Sequence, residues 1–136
     1  MELKYKTSNF PYVDAFAGAL TLKDHGAQDL GLYDFLWDVY RLEQFCKDSK
    51  VDRGFAVFVT NDYSYKNDVK RQKSNANQFR LPENRLITGS LAWGNPDAGS
   101  LGSRLSEFKL YGQYSVNWVD IEGTHFSFLI FEVLRP

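Results

Sequence analysis

Polar and apolar residues alternate at the very start of the chain. Leu3 and Tyr5 sit among Glu2, Lys4 and Lys6, the period-two pattern of a strand with one polar face. Residues 10–22 are mixed in character. Pro11 and Gly18 break any long element there, leaving Thr21-Leu22-Lys23 as a short strand. From Ala27 to Lys47 the period changes: Leu32, Phe35, Leu36, Val39, Leu42, Phe45 and Cys46 recur at three- and four-residue spacing. That spacing predicts an amphipathic helix with Asp34, Asp38 and Arg41 on its wetter face. Asp38 and Arg41 are placed to pair one turn apart, and Gly31 weakens the first turn.

Phe55-Ala56-Val57-Phe58-Val59 is a continuous apolar run, the pattern of a strand covered on both faces. Strand, helix and buried strand predict a βαβ-like unit in which the two strands run parallel, the helix packs across them, and the crossover is right-handed. Residues 63–78 turn to Lys, Asn, Ser and Gln and read as a long polar loop. Leu86 to Trp93 is a further strand, followed by a turn-rich loop holding Pro96, Gly99 and Gly102. Leu105 to Trp118 and Phe126 to Leu134 read as the arms of a C-terminal hairpin turning near Asp120 to Thr124. No internal repeat or linker interrupts the pattern. A single domain over residues 1–136 is expected, of α/β (α+β) class, with a mixed sheet, one main helix and a C-terminal β-hairpin.

Composition narrows the partners. Hydrophobic residues at 43% and aromatics at 16% exclude a disordered chain. A net charge of −1 supplies no long-range pull toward nucleic acid or anionic lipid, so any such contact must come from a local basic patch. Cys46 is the single cysteine, which excludes an intrachain disulfide. The N-terminus has no apolar signal core and no run reaches membrane-spanning length, so a cytoplasmic protein without a membrane partner is expected.

The segment with candidate chemistry is Glu2-Leu3-Lys4. On a strand, residues i and i+2 share a face, so a carboxylate and an ammonium stand side by side. Metal-dependent phosphodiester cleavage uses such a pair: the carboxylate holds Mg²⁺, and the lysine orients water or offsets charge developing on phosphorus. Acid-x-Lys occurs four times, at Glu2, Asp48, Asp68 and Glu107, but only Glu2–Lys4 is strand-like and followed by a helix and a buried strand. His25 and His125 are isolated, which argues against zinc. No Gly-rich phosphate loop and no nucleophilic Ser or Cys motif is present. The aromatics between Tyr111 and Trp118 read as sheet packing, with a stacking surface as the alternative.

Glu2 to Thr7, Asp24 to Leu36, Gly54 to Asp62 and the closing hairpin resemble a family of uncharacterised bacterial proteins. In that family Glu-Leu-Lys is similar to the second half of the PD-(D/E)xK motif of restriction-endonuclease-like nucleases. The resemblance implies a partial restriction-endonuclease-like core, with Glu2 as metal ligand, Lys4 as catalytic lysine and Mg²⁺ as cofactor. It also implies an acidic residue on a strand ahead of Glu2. Glu2 is the second residue, so the expected domain is N-terminally incomplete, and neither Asp14 nor Asp24 can be nominated in that acid's place.

Many such nucleases border the metal with a Gln and a Tyr four residues apart on the following helix. Here Gln28 and Tyr33 are five apart, about 140° around a helix, whereas Asp29 and Tyr33 share a face. These three residues are the near-site candidates. Lys66, Lys70, Arg71 and Lys73 are the candidates for sequence-independent phosphate contact with a nucleic acid. The expectation is a nuclease-like domain that is inactive as this chain. The alternatives are a non-catalytic binding or interaction module and a small β-rich ligand-binding domain. An exposed strand edge and apolar surface would favour a homodimer.

Overall fold

The computed structural model describes residues 1–8, 10–14, 18–22, 28–49, 51–66 and 74–136. The elements run β1 (Glu2–Lys6), β2 (Phe10–Asp14), β3 (Gly18–Leu22), α1 (Gln28–Asp48), β4 (Arg53–Thr60), β5 (Leu86–Ala92), β6 (Glu107–Ser115), β7 (Val119–Asp120) and β8 (Ser127–Leu134). The fold is mixed α+β. A four-stranded sheet has the order β1-β4-β8-β7, while β2–β3 and β5–β6 form separate two-stranded sheets.

The βαβ-like unit forms as the periodicity predicts. β1 lies parallel to β4 in the register Glu2↔Ala56 through Lys6↔Thr60, and β8 pairs antiparallel on the other side of β4. Helix α1, 21 residues long, crosses this sheet. Phe35 packs edge-on against Phe58 of β4 and also meets Phe131 of β8. Gly54 lets the helix come close, since a Cβ there would lie 3.2 Å from Leu42 Cδ2.

A second layer covers the opposite side of the helix. Tyr33 contacts Trp93 and Phe108, and Trp37 and Tyr40 also contact Phe108. Around Phe108 the β5–β6 ribbon therefore packs on the helix side away from the four-stranded sheet, while its other end reaches that sheet, where Tyr114 stacks on Phe131. Burying α1 between two layers removes much of the wetter face expected for it. Asp38 is buried, while Phe45, placed by its spacing on the apolar face, is 57% exposed. The core is built on Leu32, Phe35, Leu36, Val39, Leu42 and Cys46, with Phe58, Leu129, Phe131 and Val133 from the sheet.

Three further expectations change in detail. β4 is fully covered on its helix face only: Gly54, Ala56, Phe58 and Thr60 are buried, whereas Val57 and Val59 are half-buried and Phe55 is exposed. The C-terminal hairpin forms between β7 and β8, with Ile121 N–H bonded to Phe126 C=O across its turn. Its long predicted first arm divides, and residues 107–115 pair with β5 instead. The stretch containing Pro11 and Gly18 holds two antiparallel strands rather than one short one. Among the described residues no helix is long and apolar enough to cross a membrane.

Candidate functional site

Strand β1 turns its polar face inward. Lys6 lies against the first turns of α1, where a Cβ at Gly31 would sit 3.0 Å from its Cε. Further along, Lys4 Nζ is 3.3 Å from Asp38 Oδ2, and Glu2 Oε1 is 3.8 Å from Arg41 Nη2. The strand thus runs against the helix direction, and its even-numbered side chains meet successive turns. Leu3 and Tyr5 point to the opposite, open face, where Tyr5 stacks on Phe126 at 6.1 Å. The small side of Gly31 answers a close contact that helix propensity alone does not reveal.

The predicted Asp38–Arg41 pair is present at 3.4 Å, so Arg41 faces both carboxylates. Burial pushes the Asp38 carboxyl above its ordinary value and the nearby Glu2 adds to this, whereas Lys4 and Arg41 pull it down. Two acids and a lysine therefore meet at the junction of β1 and α1. The second acid is Asp38, a helix residue that sequence reasoning assigned to solvent. Its only signal was the i, i+3 pairing with Arg41. Asp14 and Asp24 lie outside what the structure describes at side-chain level. An open groove of about 520 Å³ adjoins the cluster, lined by Met1, Glu2, Arg41, Phe45 and Asp48 among others. Among the described residues no group of three or more His, Cys, Asp or Glu is placed to hold a metal.

The near-site candidates have other partners. Gln28 Nε2 donates to Asp62 Oδ2 at 3.2 Å, and Asp62 in turn caps a 3₁₀ turn by accepting from Ser64 N–H. Asp29 Oδ2 accepts from Ser74 Oγ at 3.0 Å. Tyr33 is buried in the aromatic cluster with Phe79, Trp93 and Phe108, and its hydroxyl accepts from Leu105 N–H at 3.0 Å. Burial raises the Tyr33 pKa, keeping the phenol neutral. These contacts lead toward the β5–β6 layer and the loops before it, not toward Glu2 and Lys4.

Lys66, a candidate phosphate contact, is engaged within the chain. Its Nζ is 2.7 Å from Asp120 Oδ1 and 3.1 Å from Ser127 Oγ, and it lies over the Tyr63 ring. The Lys66 and Ser127 hydrogen bonds hold the Asp120 carboxyl below its usual range. Lys70, Arg71 and Lys73 lie outside the described residues.

A second buried carboxylate escaped the sequence analysis. Glu43, on α1, accepts from the amides of Tyr111 and Gly112 and from the Tyr114 hydroxyl, at 3.0, 2.8 and 2.7 Å. These donors lie where the β5–β6 register slips between Ile87 and Gly89. The irregularity releases two amides from the ladder, and the helix supplies their acceptor. Burial and the Glu43 bond raise the Tyr114 pKa, so the phenol stays a donor. A cavity of about 420 Å³ opens beside it, lined in part by Lys47, Tyr111, Gln113 and Arg135.

Comparison with protein-family models, curated proteins and solved structures gives no match, so the function rests on this chain's own residues.

Proposed function

We propose that the chain is a restriction-endonuclease-like domain that does not hydrolyse phosphodiester bonds in this form. In this reading Glu2 and Lys4 join its first strand to its helix. The carrying observation is the 3.3 Å Lys4–Asp38 contact, with Arg41 drawn to both carboxylates. A lysine paired this way has its charge offset before a phosphate arrives.

Mg²⁺ fits this donor set poorly. The ion takes near-octahedral oxygen ligands and keeps much of its water, so it needs accessible, ionised carboxylates free of competing cations. An ion between Glu2 and Asp38 would sit beside the Lys4 ammonium and the Arg41 guanidinium. Burial also favours the protonated form of Asp38. Similarly, Lys66 brings little net charge to a nucleic acid while Asp120 holds it.

The test is direct. Purified chain incubated with supercoiled DNA or single-stranded RNA, with Mg²⁺ or Mn²⁺, is expected to cut no faster than buffer. Metal-dependent cleavage that disappears in Glu2→Ala and Lys4→Ala would overturn the proposal. A second reading, a non-catalytic interaction module, has its own support. The sheet face away from α1 leaves Leu3, Phe55, Ile130 and Leu134 exposed, more apolar surface than isolated side chains need.

A further inference from the structure

Among the described residues, β4 is the one strand paired with β1, so no described strand lies along the other edge of β1. A sheet edge offers backbone N–H and C=O groups as a template for another strand. We propose that this edge receives β1 of a second copy of the chain, antiparallel about a two-fold axis through Lys4.

The charge order of the strand carries the proposal. Pairing Glu2-Leu3-Lys4-Tyr5-Lys6 with itself about Lys4 sets Glu2 opposite Lys6 of the other copy, and Lys6 opposite its Glu2. Both side chains are on the helix face and half-buried. On the open face Leu3 meets Tyr5 of the other copy, continuing the apolar surface across the axis. Lys4 faces its own symmetry mate, but each ammonium is already 3.3 Å from its Asp38.

Other registers are worse. Parallel in-register pairing opposes each charge to itself. An antiparallel slip toward the C-terminus opposes Lys4 to Lys6. A two-fold through Leu3 also makes two opposite-charge pairs, Glu2 with Lys4 of the other copy, but that lysine is already held by its own Asp38 at 3.3 Å, which weakens them. Lysines on an edge strand block indiscriminate pairing, and the two-fold through Lys4 gives Glu2 the lysine that Asp38 does not hold, which favours that register.

Sedimentation velocity over a concentration series tests this on the intact chain. The wild type is expected to show a reversible dimer. Glu2→Lys and Lys6→Glu should each weaken it by about tenfold or more, because each replaces two opposite-charge cross-strand pairs by like-charge pairs. The double variant Glu2→Lys/Lys6→Glu should regain most of the affinity, with circular dichroism showing all three folded. Should a reversal unfold the chain, neutral Lys6→Gln should weaken the dimer less but in the same direction. A monomer at millimolar concentration, a dimer indifferent to Lys6, or a double variant no tighter than the singles would each overturn the proposal.

Discussion

If Lys4 and Asp38 are a structural pair, their removal must be strongly non-additive. At 3.3 Å and an effective dielectric near 20, the Coulomb attraction is about 5 kcal/mol. Desolvation of the carboxylate takes back much of it, and Lys4 still reaches water, with its side chain 26% exposed. A net coupling of about 2 kcal/mol remains. Asp38→Leu leaves the ammonium against an apolar helix face, and Lys4→Met leaves a buried acid beside Glu2. Each is expected to cost about 2 kcal/mol. The double variant, which replaces an ion pair by packed apolar side chains, should cost about 2 kcal/mol in total rather than about 4. Urea unfolding of the four proteins gives the coupling directly. Repeating the cycle with Arg41→Gln separates the share that Arg41 takes from Asp38. Additive single variants, with coupling under about 0.3 kcal/mol, would refute the structural role and return Lys4 to the list of free cations.

Two other outcomes follow from the buried carboxylates. Glu43→Ala leaves two amides and the Tyr114 hydroxyl without their acceptor. With water able to enter from the adjoining cavity, a loss of about 3 kcal/mol is expected by urea unfolding, against about 1 for Tyr114→Phe. Asp38 has a folded-state pKa above its unfolded value, so the folded protein binds the proton more tightly. Stability therefore falls as pH rises from the ordinary carboxylate range through the raised value. Melting temperatures across that window should show this decline in the wild type and a smaller one in Asp38→Asn; equal slopes would count against it.

What the sequence determined by itself was whatever depends on local periodicity. The helix ends at Gln28 and Asp48, within a residue of the reading from Ala27 to Lys47, because six of the seven apolar positions hold one buried stripe, Phe45 being the exception. The parallel order of β1 and β4 followed from placing a helix between two short strands. Periodicity also separated Glu2 and Lys4 from Leu3 and Tyr5 across the strand, but it could not say which set faces the helix. The usual preference for apolar residues inside would turn Leu3 and Tyr5 inward, and the tertiary structure does the reverse.

That reversal needs Asp38, Arg41 and the space at Gly31, on an element more than twenty residues away, to receive three charged side chains. The fate of β6 was equally non-local. Residues 107–115 carry a strand pattern that fits β8 or β5, and Glu43, reaching from the helix to the amides at the slipped register, is part of what holds the strand beside β5. Tyr33 shows the same limit from the other side. Its spacing from Asp29 allowed a place near the site, but the second layer over α1 draws its ring into the core. One-dimensional spacing states which residues share a face of their own element. What that face meets is set by packing between elements distant in sequence, and there the candidate site was decided.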